Sequence, residues 1–134
     1  RFRDSTDLRA KGVEPDSFFY DQAAQVITHE GEKVTNLTYL ADGIVKIERG
    51  DRVIAICGPG DYVGELSFLS GNPATATATV VKPVRALVFN QTKLAEAIEN
   101  DAQLRRTLES ALNRNLAGKL MRSNSSDPVA VTSP

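Results

Sequence analysis

Gly64-Glu65-Leu66-Ser67-Phe68-Leu69-Ser70-Gly71-Asn72-Pro73, followed by Ala74-Thr75-Ala76-Thr77-Ala78-Thr79, decides the reading of this chain. Gly-Glu-Leu opens a short apolar turn of helix, Gly-Asn-Pro breaks it, and the alanine–threonine alternation returns as a strand. Three kinds of polar group come together as a result: backbone N–H groups at a helix start, the Glu65 carboxylate beside them, and threonine hydroxyls behind. The first amides of a helix lack intrahelical partners and lie at the positive end of the peptide dipoles, so they attract anions. The plainer reading of Glu65 is a carboxylate that complements the helix dipole, worth about 0.3–1 kcal/mol. Its company, Gly64, Leu66 and the turn that follows, favours a ligand.

Working outward, the pattern is β on both sides. Val26-Ile27 leads to a Glu30-Gly31-Glu32-Lys33 turn and then to Leu37-Thr38-Tyr39-Leu40. Asp42-Gly43 reads as a tight hairpin turn, since both residues tolerate positive φ, with Ile44–Glu48 pairing back across it. Arg49-Gly50-Asp51 is the next turn; as a β-turn it outweighs an adhesion triplet. Arg52–Ile56 then leads to Gly58-Pro59-Gly60-Asp61, Tyr62 and Val63. Beyond the threonines, Val80-Val81 and Val84–Phe89 close the pattern, and Pro83 belongs at an edge or a bend. Short strands with turns every 8 to 12 residues or so predict an antiparallel barrel or jelly roll of about eight strands.

At these residues the chain resembles the cyclic nucleotide-binding domain family. Residues 64–79 match its phosphate-binding cassette, and the likeness runs unbroken from about His29 to Phe89. The resemblance implies a mainly β fold with flanking helices, an antiparallel double-stranded β-helix or jelly-roll (β-roll) with a C-terminal helix. It implies cyclic AMP or cyclic GMP as ligand, and Gly64, Glu65, Leu66, Ala74, Thr75 and Thr77 as ligand-binding residues. In the family the glutamate matching Glu65 binds the ribose 2′-hydroxyl, and an arginine just after the proline pairs with the cyclic phosphate. Here that position is Ala74. Losing a charge-assisted pair leaves the phosphate to backbone amides and to Thr75 or Thr77, unless another cation such as Arg85 reaches in. The membrane-anchored Popeye proteins resemble this case in carrying an altered cassette on the same fold, although none of their specific cassette sequence is present. The function implied is a regulatory or sensor domain whose ligand shifts the C-terminal helix; the alternative is a degenerate β-roll kept for dimerisation or protein interaction.

The 134 residues, 41% of them hydrophobic, suffice for one core. We divide them into a charged N-terminal segment with helix or loop (1–24), the β-roll (25–89), C-terminal helices (90–122) and a disordered tail (123–134). In the first segment, Asp16 or Ser17 is expected to cap a short helix whose Phe18-Phe19-Tyr20 run covers the barrel's edge. Asn90 is a cap for a helix over Leu94, Ala95, Ala97 and Ile98, and Asp101 for the next one. That last helix carries Leu104, Leu108, Leu112, Leu116 and Leu120. Four-residue steps drift slowly around a helix of 3.6 residues per turn, so the leucines form a slanting stripe that predicts a homodimer contact.

The net charge of −1 gives no general attraction to nucleic acid, and no helix-turn-helix follows the last helix. Cys57 is the single cysteine, amid apolar strand residues, which suits a buried thiol in a cytoplasmic, reducing setting. Met121 is the single methionine, so the chain reads as a piece of a longer protein. No apolar run reaches about 18 to 20 residues, so no membrane contact is expected of this stretch; a longer parent with its own anchor stays open. One histidine, His29, argues against a histidine-rich metal site and against a Ser-His-Asp triad, and no enzymatic activity is expected.

Overall fold

Two fourteen-residue strands, β3 (Asn36–Arg49) and β6 (Thr77–Asn90), run antiparallel beside each other and carry the architecture. The computed structural model describes residues 13–126, with side chains as far as residue 118. The other strands are β1 (Asp16–Tyr20), β2 (Val26–Thr28), β4 (Arg52–Cys57) and β5 (Tyr62–Val63). Helix α1 (Glu65–Ser70) precedes β6, and α2 (Gln91–Glu99) and α3 (Ala102–Ser126) follow it. Strands lie in the order β1-β6-β3-β4, with β2 also on β6 and β5 also on β3. The result is a mainly antiparallel β-roll with flanking helices, the fold class that the sequence predicts.

Asp42-Gly43 is not a hairpin turn. Strand β3 continues through it, pairing with β6 on both sides while the register slips between Leu40 and Val45. The positive φ that suggested a turn is real, +99° at Gly43, but it serves a bulge that bends the strand. A Cβ on Gly43 would collide with the Pro83 carbonyl and stand 2.6 Å from Val84 Cα, so the two long strands touch backbone to backbone at this corner. Asp42 Oδ1 accepts the Gly43 N–H at 2.9 Å, and Pro83 has no N–H for the slipped register to strand. Pro83 therefore sits at the bend, as expected. Among the described residues six strands stand where about eight were expected, because β3 and β6 each turn this corner unbroken.

The short helix expected at Asp16 or Ser17 is instead β1, paired residue by residue with Val84–Val88 of β6. Aromatic residues favour a pleated strand, and period-two alternation explains their contacts. Phe18 and Tyr20 share a face and stack at 6.1 Å, while Phe19 lies opposite its register partner Arg85, whose guanidinium is 5.7 Å from the ring centre. Burial holds the Tyr20 phenol above its usual pKa. Phe18 and Phe19, 47% and 62% exposed, do not form the expected cover over the barrel's edge. The sheet thus begins ahead of residue 25.

Two cores result. Leu40, Val45, Cys57, Val63, Ala78, Val80 and Val84 fill the interior of the roll. Val13, Leu37, Phe89, Leu94, Ile98, Leu104, Leu108 and Leu112 join the helices to its outside. Each such leucine buried is worth about 1.5–3 kcal/mol, which holds α3 against the chain's own sheet. The first three leucines of the stripe thus pack within the chain; Leu120 lies outside the described side chains. Asn90 Oδ1 accepts the Lys93 N–H at 3.0 Å and Asp101 Oδ1 the Leu104 N–H at 2.9 Å, the two caps that the sequence predicts. Helix α3 extends through 123–126, where composition suggested tail; residues 1–12 and 127–134 lie outside the described ones. Cys57 is fully buried and in no disulfide. No described helix is long and apolar enough to cross a membrane.

Candidate functional site

Two left-handed glycines bound the six-residue helix α1, Gly64 at φ 95° and Gly71 at φ 79°. A Cβ on Gly64 would lie 2.9 Å from the Asn36 carbonyl oxygen, so only glycine lets the cassette tuck against the start of β3. Ser67 carries the break that follows: its hydroxyl donates to the Asn72 carbonyl at 2.7 Å and its carbonyl accepts the Gly71 N–H at 2.7 Å. The chain then returns to the turn after β2. Ala74 donates to the Glu32 carbonyl at 3.0 Å and accepts from the Gly31 N–H at 2.8 Å. Its amide is thereby engaged within the protein.

Behind this return lies a cavity of about 270 Å³. Gly64, Glu65, Leu66 and Ser67 form one side and Ala74, Thr75, Ala76 and Ala78 another; Val34, Ile47, Ile54 and Val63 add apolar surface. Leu116 of α3 reaches the same space, and so does Arg49 at the end of β3. The walls are mostly apolar with a few polar groups, as in small-ligand sites generally, and the volume is just under their usual range of roughly 300–1,000 Å³. Glu65 is the acidic residue on the wall, with only 3% of its surface exposed. Keeping a carboxylate where water hardly reaches is costly, so the residue is out of place as a mere solubilising group.

Five of the six expected residues meet there: Gly64, Glu65, Leu66, Ala74 and Thr75. Thr77 is not on the wall; its Oγ1 accepts the Glu30 N–H at 2.9 Å and so ties β6 to the turn after β2. Arg85, the cation considered as a substitute, lies over Phe19 rather than at the cavity. Sequence reading missed Arg49, Ser67 and Leu116. Arg49 was visible only as the first residue of a turn, yet its Nε donates to the Thr75 carbonyl at 3.1 Å. The signal that could have found it is the register of β3 on β6, where Glu48 pairs with Thr77 and the next residue faces the cassette's return.

Helix α3 is also clipped to the strand leading into the cassette. Asn115 Nδ2 donates to Asp61 Oδ1 at 2.8 Å, and the Tyr62 N–H donates to Asn115 Oδ1 at 3.1 Å. Asp61 Oδ2 in turn accepts the Gly58 N–H at 2.8 Å, so the turn is held from both sides. Asn115 is the neighbour of Leu116, which places the helix's contact with the cavity next to its anchor on the roll. Among the described residues no three His, Cys, Asp or Glu side chains are grouped as a metal site.

The chain is similar to known proteins. Residues 22–101 match the family model described as cyclic nucleotide-binding domain. The CRP-like cAMP-activated global transcriptional regulator of Mycobacterium tuberculosis H37Rv is 34% identical over 100 residues, 71% of this chain and 43% of that protein. The chain therefore spans less than half the length of the curated relatives it matches. Among solved structures, a cyclic nucleotide-binding domain from Methylobacillus flagellatus KT superposes with a TM-score of 0.73 at 20% identity, over 84% of this chain and 65% of that one. The N-terminal domain of a transcriptional regulator from Streptomyces coelicolor A3(2) superposes at 0.63 with 26% identity, over 93% and 85%. With 80 consecutive residues, 22–101, more than half of the chain, inside the family model and the β-roll fold in place, the chain belongs to the cyclic nucleotide-binding domain family.

Proposed function

We propose that this chain is a regulatory sensor module, without catalytic activity, that binds cyclic AMP or cyclic GMP in the cavity between the cassette and Leu116. The observation that carries the reading is Glu65, 3% exposed on the wall of a mostly apolar cavity. A ribose hydroxyl would donate to that carboxylate, and the apolar walls suit a purine base. Gly64 and Leu66 shape the same wall and Thr75 adds a hydroxyl, while Thr77 acts indirectly by bracing β6. Ala74 stands where the family has its phosphate-pairing arginine, an altered cassette of the kind that Popeye proteins tolerate. A ligand filling the cavity meets Leu116, next to the Asn115 clip, and displacing α3 is how binding would be passed on.

We propose the homodimer in a narrower form. Leu104, Leu108 and Leu112 are engaged in the chain's own core, so a second copy would have to use the part of α3 beyond Leu112. Sedimentation over a wide concentration range tests this, and a monomer throughout rejects it. The net charge of −1 gives this module no excess positive charge for nucleic acid, and buried Cys57, in no disulfide, suits a cytoplasmic setting.

Calorimetric titration with cyclic AMP and cyclic GMP tests the main reading. Saturable binding is expected, weakened about 10- to 100-fold by Glu65→Gln, since a hydrogen bond to a charged group contributes about 1.5–3 kcal/mol. No binding of either nucleotide rejects it and leaves the roll as a dimerisation or interaction module.

A further inference from the structure

We infer that Arg49 supplies the positive charge for the ligand's phosphate, in place of the arginine absent at Ala74. The inference rests on the cavity being a cyclic nucleotide site. Among the described residues Arg49 is the one cationic side chain on the cavity wall, and it shares that wall with Glu65, Ala74 and Thr75. Its Nε donates to the carbonyl of Thr75, the residue next to Ala74, so the guanidinium is held at the return of the cassette. The position is reached from β3 instead of from the cassette itself. A carbonyl holds the group without neutralising it, and among the described residues no carboxylate pairs with Arg49. The guanidinium fork keeps its other donors for an anion, the bidentate geometry that suits phosphate. Arg85 cannot do this from its place over Phe19, and the Ala74 amide is already donated to Glu32. The register of β3 on β6 thus brings a cation to where the local sequence lost one.

Because Arg49 is exposed, screening weakens its pull, and about a tenfold effect is expected. The test is titration of the parent, Arg49→Gln and Arg49→Lys with cyclic AMP and with adenosine, which lacks phosphate, at low and high salt. Unfolding midpoints check that the variants fold. The parent should bind cyclic AMP, with Arg49→Gln about tenfold weaker and less salt-sensitive, Arg49→Lys intermediate, and adenosine binding unchanged. Ala74→Arg placed in the Arg49→Gln background should recover the loss, and its gain there should exceed its gain in the parent. A parent that binds cyclic AMP with Arg49→Gln equally tight overturns the role of Arg49 and leaves the nucleotide site standing. An equal loss of cyclic AMP and adenosine, or a loss with unchanged salt dependence, overturns it too, by assigning Arg49 to bracing Thr75. A parent that binds neither cyclic AMP nor cyclic GMP overturns the nucleotide site and this inference together.

Discussion

Strands β3 and β6 pass through the roll in two stretches that are filled differently. Near the corner, Leu40, Val45, Val80 and Val84 close the interior completely. Toward the cassette, Ala74, Ala76 and Ala78 reach the wall across from Ile47 and Arg49, and their short side chains leave about 270 Å³ open. The two stretches are continuous in chain. Side-chain volume along β6 and the residues that lead into it therefore divides the part that closes the interior from the part that leaves a cavity.

Substitutions in the two stretches should separate stability from binding. The largest effect is expected at the corner: Gly43→Val combines a strained positive φ with collision against the Pro83 backbone, a loss of about 2–6 kcal/mol on denaturant unfolding. Gly50→Val, where nothing lies within 4 Å, should show the backbone strain alone, and equal losses at both sites would break the account of the corner. Leu40→Ala, in the filled stretch, should lose about 2–5 kcal/mol, read from the same unfolding curves. A loss under 1 kcal/mol or so would mean that the interior is loosely packed and that the contrast is false.

Asn115→Ala removes two hydrogen bonds, one to Asp61 Oδ1 and one from the Tyr62 N–H, and thermal unfolding should register about 1–3 kcal/mol. The smallest effect on stability is expected for Ala76→Leu, within about 1 kcal/mol, because open volume is there to receive the side chain. The same variant should nevertheless lose most nucleotide binding in calorimetry. Unimpaired binding would place the ligand elsewhere.

The roll was legible because its signals are local. Gly71 does end the short helix, Asn90 and Asp101 do cap helices, and Cys57 is buried as its apolar neighbours suggested. Where the reading went wrong, a local preference had two outlets. Asp42-Gly43 signals positive φ, which serves a hairpin turn or a bulge equally well, and only the approach of Pro83 selects the bulge. The leucine stripe signals an apolar face without saying what covers it.

Sequence alone determined which residues could turn, cap and pleat, because those preferences arise within a few bonds of each residue. By resemblance it also raised the expectation that Ala74 takes the place of a family arginine. Tertiary structure decided that Phe18 and Phe19 lie on a strand, that Leu104, Leu108 and Leu112 pack on their own sheet, and that Thr77 faces the turn at Glu30. It also decided that Arg49, 25 positions before Ala74, stands beside the next residue's carbonyl. These are matters of register between distant strands, fixed by the summed burial of two cores and by one backbone contact at Gly43, and no short stretch of sequence contains them.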